Sequence, residues 1–265
     1  MDTRNWDKTL LPYEQAVDEL IVKFKNLDAS FRRLNMASPI ELVEGRVKRL
    51  SSILEKARRK NVSPEVIEEY MEDIAGVRII CRFVEDIDRV RDIIRSRDGV
   101  DLEIIKEHDY VANAKASGYR SYHIIVTYPV ISASGYKKVT CEVQIRTLAM
   151  NFWATIEHSL KYKYKGKLPE HLQQRLISCA DAAAKLDAEM SEIRGEVTEV
   201  ESGIESRNKV VDLILDRLQA LYQCADLDQV TELNRSFFDL YEKGDMEGLN
   251  ELYRQLNVMA ELYRV

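Results

Sequence analysis

Basic side chains are concentrated in one short stretch of an otherwise acidic chain, and their types suit the binding of phosphate. The stretch GRVKRLSSILEKARRK, residues 45–60, contains Arg46, Lys48, Lys56 and further basic residues, with Ser52 among them. A strand that leads into a helix can direct several such cations at one anion, so polyphosphate is a natural ligand. The alternative is the solvated basic face of a helix.

Acidic side chains lie at the edges of two apolar segments. In MEDIAGVRI, Asp73 precedes an apolar run that contains Arg78. Carboxylates at strand ends often bind Mg²⁺, although such an aspartate is also common as a cap or turn residue. In EVQIRT, Glu142, Gln144 and Arg146 alternate with apolar residues, which predicts a half-buried strand with one polar face. That polar face is therefore a candidate site.

The segment KASGYRSYH, residues 115–123, combines aromatic and basic side chains beside a glycine. Tyr119, Arg120 and His123 suit the stacking of a base and contact with phosphate. The same composition is ordinary for a loop that enters a strand. The basic cluster, the two acids and this aromatic segment are weak signals singly, but together they indicate one site beside the strands.

The elements that must position these residues form an α+β fold, a mixed five-stranded sheet flanked by helices. We predict strands near residues 42–47, 74–84, 100–106, 122–130 and 138–146, with a hairpin turn at Gly135 between the last two. Helices are predicted from Pro12 onward and over residues 51–60, 63–73 and 85–97. After the last strand, Thr147 is a good N-cap for a helix with apolar residues on one face.

The C-terminal part of the chain is predicted to consist of long helices. Between Leu172 and Val200, apolar residues recur every three or four positions, which predicts a long packing helix. The segment SGIESRNK, residues 202–209, is the best candidate for a linker. We therefore expect a domain over residues 1–200 and a helical extension over residues 205–265. The apolar stripe must be covered, either by the extension folding back or by another subunit.

Composition and charge limit the classes of protein to which this chain can belong. The 265 residues are 45% hydrophobic and 32% charged with a net charge of −6, which is typical of globular proteins and does not favour general affinity for nucleic acid. No apolar run approaches the roughly 18 residues of a membrane span. The polar start MDTRNWDKTL does not resemble a signal peptide, so we expect no membrane and a cytoplasmic location. The four dispersed cysteines predict reduced, packed thiols rather than zinc or disulfides.

Four of these segments resemble one known family, in the same order along the chain. GRVK at 45–48, DIAGVRI at 73–79, SGYRSYH at 117–123 and EVQIRT at 142–147 look like the motifs of the RelA/SpoT synthetase domain. The continuation LAMNFWATIEHSLKYKYKG is similar to the RelQ-type small alarmone synthetases. The resemblance implies a nucleotidyltransferase-like synthetase domain. Its reaction would transfer the β,γ-pyrophosphate of ATP to the 3′-hydroxyl of GDP or GTP, with Mg²⁺, to make (p)ppGpp in the stringent response.

The resemblance also implies a role for each matching residue. The ATP side is implied to comprise Arg46, Lys48, Ser52, Lys56 and Arg78. The acceptor side is implied to comprise Lys115, Tyr119, His123 and Gln144. The two arginines would sandwich adenine through planar guanidinium groups, the lysines and serine would hold the ATP phosphates, the tyrosine would stack on guanine, and the histidine would contact a phosphate. Asp73 matches a Mg²⁺ ligand, and Glu142 matches an acid that binds the metal or activates the attacking hydroxyl.

The resemblance extends to assembly and regulation, and it leaves two alternatives. RelQ-type proteins form homotetramers whose central cleft can bind the alarmone product, and some bind RNA, so a homotetramer and such regulation are expectations here. The pair His108–Asp109 does not indicate the family's hydrolase domain, because no histidine precedes it. A toxic relative would modify tRNA or an adenine nucleotide, which Tyr119 with an intact EVQIRT disfavours. A non-catalytic RNA-binding module is disfavoured by the presence of Asp73 and Glu142.

Overall fold

The computed structural model describes residues 6–133, 135–164 and 168–263, which form two compact units. The first unit spans Met1–Ser191 and the second spans Glu192–Val265. The boundary falls within one long helix rather than within a loop. Ser134, in the predicted hairpin turn, and residues 165–167, after the predicted helix that follows Thr147, lie outside the described residues.

A five-stranded mixed sheet forms the centre of the first unit. The strands are β1 (Leu42–Val47), β2 (Ala75–Cys81), β3 (Glu103–Asp109), β4 (Tyr122–Ser132) and β5 (Gly135–Thr147). They are ordered β1-β2-β5-β4-β3, and β2 pairs with β5 in parallel while the other neighbouring pairs are antiparallel. The predicted α+β fold with a mixed five-stranded sheet is confirmed.

Helices flank this sheet and contribute much of its core. Those of the first unit are α1 (Trp6–Arg33), α2 (Leu50–Lys60), α3 (Ile67–Tyr70), α4 (Val84–Arg95), α5 (Leu148–Lys163) and the first part of α6 (Glu170–Leu221). In α1, Ala16, Leu20 and Phe24 are buried at four-residue spacing, which places one face of the helix in the core. The main core lies between this face and the strands.

Two predicted helix boundaries are wrong. Pro12 lies inside α1 rather than at its start, because Trp6 and Leu10 also pack against the core and extend the helix towards the N-terminus. The predicted helix over residues 63–73 is reduced to a 3-10 turn, Pro64–Val66, and the short helix α3. Met71 already has an extended backbone, so Asp73 lies in the turn that leads into β2.

The second unit is a separate helical body. It contains the rest of α6, α7 (Leu227–Lys243) and α8 (Met246–Tyr263), which bury their own apolar core around Ile214, Phe237 and Leu252. The prediction of a linker over residues 202–209 is wrong, since these residues continue α6. A glycine inside a helix costs only about 1 kcal/mol, so Gly203 alone does not end a helix of 52 residues.

Apolar side chains remain exposed along two helices. On α5 they are Leu148, Phe152, Ile156 and Leu160, and on α6 they are Leu186, Met190, Ile193, Val197, Val200 and Ile204. Within the second unit, α7 and α8 leave Ile193, Val197 and Val200 exposed, so folding back of the extension does not cover this part of the stripe. No helix in the described ranges has the length and apolar character to cross a bilayer.

The cysteine prediction holds for two of the four residues. All four are free thiols; Cys81 and Cys141 are buried in the first unit. Burial raises the pKa of the Cys141 thiol to about 12, so this thiol stays protonated and unreactive at neutral pH. Cys179 and Cys224 are exposed rather than packed, because they lie on the solvent side of α6 and in the turn after it.

Candidate active site

A polar cleft of about 550 Å³ opens over β1, β2 and β5. The strand register places Arg46 opposite Gly76 and Gly76 opposite Glu142, so these three residues lie in one row across the sheet. A second row places Arg78 between Glu44 and Gln144. Side chains of both rows line the cleft. Of the polar face predicted for β5, Glu142 and Gln144 therefore face this cleft, whereas Arg146 is buried.

Gly76 makes room at the centre of the first row. A Cβ atom built at this position meets a single atom within 4 Å, the Arg46 carbonyl oxygen at 3.8 Å. Any side chain here would extend into the cleft, between Arg46 and Glu142. The absence of a side chain at Gly76 thus preserves space for a bound group.

Arg78, the cation of the second row, lies near a second, buried arginine and is only partly neutralised. Burial lowers the pKa of Arg78, and the nearby Arg146 lowers it further. Glu44 lies 3.8 Å from Arg78 Nη1 and is itself half-exposed. Arg78 Nε is buried and has no hydrogen-bond partner within the described part of the chain. This guanidinium therefore retains capacity to bind a polar or aromatic ligand.

Asp73 is held by two lysines at one end of the cleft. Its Oδ2 atom accepts hydrogen bonds from Lys48 Nζ at 2.6 Å and from Lys56 Nζ at 2.7 Å. Burial alone would raise the pKa of Asp73, but these two bonds outweigh it and hold the pKa below its usual range. The carboxylate is therefore ionised at neutral pH and surrounded by positive charge.

A chain of hydrogen bonds connects Glu142 to the aromatic loop before β4. Glu142 Oε1 lies 2.9 Å from His123 Nδ1, and His123 Nε2 lies 2.8 Å from the Tyr119 hydroxyl. Gln144 Nε2 donates to Glu142 Oε2 at 2.6 Å. Burial would raise the pKa of Glu142, but the bonds from His123 and Gln144 outweigh it and the pKa is lowered. Glu142 is thus an ionised carboxylate in a fixed orientation.

Arg146 and Lys115 complete the surroundings of Tyr119. Arg146 is almost fully buried and donates to the Tyr119 hydroxyl at 2.5 Å and to Gln144 Oε1 at 2.7 Å. The ammonium of Lys115 lies 4.1 Å from the ring centroid of Tyr110 and 4.9 Å from that of Tyr119. These contacts form an aromatic and cationic cluster next to Glu142, whose side-chain types suit a stacked base with attached phosphates.

Asp73 and Glu142 fit a divalent cation that is bound together with a substrate. Asp73 Oδ1 is buried and lacks a hydrogen-bond partner in the described ranges, and Glu142 lies close enough for the Asp73 charge to raise its pKa. Protein sites for Mg²⁺ commonly use one or two carboxylates plus substrate phosphates and waters. The described residues include no group of three or more His, Cys, Asp or Glu suited to hold a metal. The phosphates would therefore supply further ligands.

The structure brings most of the predicted site residues together. Those that line the cleft are Arg46, Lys48, Asp73, Arg78, Glu142 and Gln144. Those connected to it by hydrogen bonds or ring contacts are Lys56, Lys115, Tyr119 and His123. Ser52 is exposed in the first turn of α2 and does not line the cleft.

Glu44, Gly76 and Arg146 also contribute to the site. Glu44 and Gly76 are not among the residues predicted for it, and Arg146 is predicted only as part of the polar face of the last strand. Gly76 lies within DIAGVRI and Arg146 within EVQIRT. Alternation along each strand could have indicated them, since Glu44 shares a face with Arg46, and Gly76 shares one with Arg78. The contact of Arg146 with Tyr119 has no signal in the sequence, because it depends on the pairing of β4 with β5.

One cleft over a mixed sheet combines two carboxylates with Lys48 and with arginines from neighbouring strands, and Lys56 adjoins it. Such a set of side chains is typical of a nucleotide-binding transferase site. A family model described as a region found in RelA/SpoT proteins matches residues 45–167. Over 209 residues the chain is 52% identical to the GTP pyrophosphokinase YjbM of Bacillus subtilis (strain 168), covering 79% of this chain and 98% of that protein. The chain belongs to the RelA/SpoT family, in the group of the small alarmone synthetases.

Solved structures show the same relationship. The small alarmone synthetase 1 of B. subtilis bound to its product pppGpp matches with a TM-score of 0.70 and 53% identity, covering 73% of this chain and 98% of that chain. The same synthetase bound to AMPCPP matches with a TM-score of 0.65 and 50% identity, covering 74% of this chain and 99% of that chain. The synthetase fold is therefore shared over most of the first unit's length.

Proposed function

We propose that this chain is a (p)ppGpp synthetase, which transfers the β,γ-pyrophosphate of ATP to the 3′-hydroxyl of GDP or GTP. The observation that carries the proposal is the geometry of the site, where ionised Asp73 and Glu142 lie between a cationic half, which lines the cleft, and an aromatic half, which adjoins the cleft through Glu142 and His123. Pyrophosphoryl transfer requires little covalent chemistry from a protein and much positioning and neutralisation of charge. The named relatives are GTP pyrophosphokinases, which supports the same reaction here.

The cationic half is proposed to bind ATP. Arg46 and Arg78 project from neighbouring strands into the cleft, and their planar guanidinium groups suit an adenine ring placed between them. Lys48 and Lys56 are proposed to hold the phosphates, because their convergence on one oxygen of Asp73 places two ammonium groups side by side at this end of the cleft. Ser52 is proposed to contribute its hydroxyl group from the first turn of α2.

The aromatic half is proposed to bind the acceptor nucleotide. Tyr119 offers a ring for guanine to stack on, while Lys115 and His123 offer cationic or hydrogen-bonding contacts for its phosphates. Gln144 lies between the two halves, bonded to Glu142 on one side and Arg146 on the other. This arrangement directs the acceptor towards Glu142, which is proposed to orient or deprotonate the attacking hydroxyl.

Mg²⁺ is the proposed cofactor, with Asp73 and Glu142 as its protein ligands. When bound, the ion would neutralise charge on the transferred phosphates and draw electron density from the bridging oxygen. The lysines around Asp73 keep that carboxylate ionised and ready to bind the ion. The bonds from His123 and Gln144 hold the Glu142 carboxylate in place for the same purpose.

We further propose a cytoplasmic homotetramer. The exposed apolar residues of α5 recur every four positions, and a stripe of this kind is a usual contact between subunits. Binding of an alarmone or RNA as a regulator, expected from the resemblance to RelQ-type proteins, stays a prediction. The assignment of residues 1–200 as the synthetase domain and of 205–265 as an extension of unknown role also stays a prediction.

The test is incubation of the purified chain with labelled ATP and each of GDP, GTP, ADP and tRNA. Label transferred to the 3′ position of GDP or GTP supports the proposal. Transfer to ADP or to tRNA would instead show that the chain has the activity of the toxic type of relative. Binding of RNA with no transfer to any acceptor would identify a non-catalytic module.

A further inference from the structure

Tyr119, the proposed stacking residue, lies in a loop that touches helix α6. The acceptor loop, residues 110–121, connects β3 to β4. A turn within it is closed by the bond from Gly118 N to Lys115 O at 2.8 Å and by that from Lys115 N to Tyr119 O at 3.1 Å. The Tyr119 hydroxyl is held by the sheet through Arg146 and His123. These two bonds fix the end of the side chain, and the loop backbone is in contact with α6.

Gly118 brings the loop backbone directly against α6. It is buried and has a φ of +84°, and a Cβ atom built on it would lie 2.5 Å from the Cβ of Ala180 and 3.6 Å from the Cα of Ile177. Real Cβ atoms do not approach other atoms so closely, and L-residues rarely adopt this φ. A glycine next to Tyr119 is thus what allows the loop to lie on the helix.

Arg120, on the other side of Tyr119, bridges the loop to the same turns of α6. Its Nη1 donates to the carbonyl oxygens of Gly118 and Ala180, each at 3.3 Å. Its Nη2 donates to Asp181 Oδ1 at 3.3 Å. Only a forked guanidinium can reach three acceptors from two nitrogen atoms in this way.

Trp153 of α5 also contacts the part of α6 on which the acceptor loop lies. Its Nε1 donates to the Leu176 carbonyl oxygen at 2.8 Å. Its ring forms a small cluster with Ala154 and Ala180, against which Tyr119 packs, and this cluster is distinct from the main core. The position of the Tyr119 ring is therefore defined by α5 and α6 as well as by the sheet.

We propose that Arg120 is a positioning residue for the acceptor nucleotide. By bridging the Gly118 carbonyl to Ala180 and Asp181, it holds the acceptor loop on α6 and presents the Tyr119 ring to the acceptor base. Helix α6 thereby sets acceptor affinity through contacts that do not include the nucleotide. The inference rests on the acceptor role of Tyr119 in the proposed function.

The decisive variant is Arg120→Gln, assayed by separate titrations of GDP and ATP. Loss of the bridging bonds is expected to raise the KM for GDP roughly 3- to 10-fold, while the KM for ATP stays within about twofold. Arg120→Lys is expected to give a similar split, because a single ammonium cannot replace the fork. A purely structural role would lower the melting temperature without separating the two KM values.

A glycine pair gives an independent test with a matched control. Gly118 and Gly99 both have positive φ, at +84° and +73°, but a Cβ at Gly99 meets nothing within 4 Å. Gly118→Ala and Gly99→Ala therefore carry comparable backbone strain, and only the first pushes the loop away from α6. We expect the KM for GDP to rise in Gly118→Ala and not in Gly99→Ala.

A double-mutant cycle tests the route of the effect. If Arg120 acts through its partner on α6, Arg120→Gln combined with Asp181→Asn should raise the KM for GDP no further than Arg120→Gln alone. Additive effects, equal changes in both KM values, or an unchanged KM for GDP in Arg120→Gln would each overturn the inference. A wild-type chain that modifies neither GDP nor GTP would overturn the proposed function, and this inference with it.

Discussion

Lys48 Nζ lies 2.6 Å from Asp73 Oδ2, while Oδ1 of the same carboxylate is buried and has no hydrogen-bond partner among the described residues. One oxygen is thus engaged with the phosphate-binding lysines, and the other is free for a further ligand. Asp73→Asn would keep the shape of the side chain and remove its charge. We expect at least about a 100-fold loss of kcat, with little change in melting temperature, since a partly exposed ion pair stabilises by about 1 kcal/mol or less.

Glu142→Gln is expected to lose kcat to a similar extent as Asp73→Asn. Asp92→Asn is the control for both variants. Asp92 pairs with Arg91 on the exposed surface of α4, so its removal should leave turnover unchanged. The measurement is the initial rate with saturating ATP and GDP, beside a thermal melt of each variant. Near wild-type turnover in Asp73→Asn or Glu142→Gln would refute the assignment of these carboxylates.

Tyr119 offers two separable contributions, a ring and a hydroxyl. Tyr119→Ala removes the stacking surface, which is worth about 1–3 kcal/mol per base, so the KM for GDP should rise far more than that for ATP. Tyr119→Phe keeps the ring but loses the bonds to Arg146 and His123. It should retain most of the affinity for GDP. If both variants lose affinity for GDP equally, the ring is not a stacking platform.

Gly76→Val tests the space at the centre of the cleft. Valine is well tolerated in a strand, and a Cβ atom at this position meets only the Arg46 carbonyl oxygen at 3.8 Å, so the variant should fold. Its side chain would displace ATP from its aligned position, and a displacement of about 1 Å can cost about 100-fold in kcat/KM. Gly76→Ala should show a smaller loss in the same assay. Unchanged kcat/KM in Gly76→Val would mean that substrate does not occupy this part of the cleft.

Asp187 gives a pH-dependent prediction. It accepts a hydrogen bond from Thr147 Oγ1 at 2.7 Å, and burial raises its pKa. A carboxyl whose pKa is raised on folding contributes stability below its unfolded value of about 3.9 and loses it as pH rises through the folded pKa. Asp187→Asn keeps an acceptor for Thr147. The variant should therefore become more stable relative to wild type as pH rises from about 3 to about 7.

Urea unfolding at several pH values and one protein concentration measures this difference. Ser178→Ala is the control, because Ser178 lies on the exposed side of α6 and has no titrating group, so the variant should show no such trend. A difference between wild type and Asp187→Asn that stays constant with pH would show that burial does not penalise the carboxylate. Asp187→Ala should be less stable than Asp187→Asn at every pH, since the alanine leaves the buried Thr147 hydroxyl without its acceptor.

The stripe on α5 predicts the effect of a charge on assembly. Phe152 is 72% exposed, and a glutamate in its place would put a charge into any contact between subunits. We expect Phe152→Glu to shift the mass measured by light scattering from an oligomer towards the monomer. Val100→Glu, at a position 78% exposed in a turn, should not change the mass. A monomeric wild type would contradict the proposed tetramer.

Local pattern predicted the strands well and the ends of the helices less well. Alternation over residues 142–146 indicated a polar strand face, and Glu142 and Gln144 of that face line the cleft. Pro12 and Gly203 gave wrong predictions for different reasons. Packing of Trp6 and Leu10 on the core extends α1 past Pro12, whereas the cost of one glycine is too small to end α6 at Gly203. Contacts between Arg120 and Asp181, which are 61 residues apart, leave no periodic signal at all. Such contacts depend on tertiary packing that one sequence does not display.

Between residues 180 and 190, helix α6 has one surface that contacts the first unit's site and another that is exposed and apolar. Ala180, Asp181 and Asp187 hold the acceptor loop and the end of β5, whereas Leu186 and Met190 are open to solvent. Because both surfaces belong to neighbouring turns of α6, a displacement of these turns would move both surfaces together. By thermodynamic reciprocity, any molecule that binds the open surface and changes GDP affinity by some factor must have its own affinity changed by GDP by the same factor.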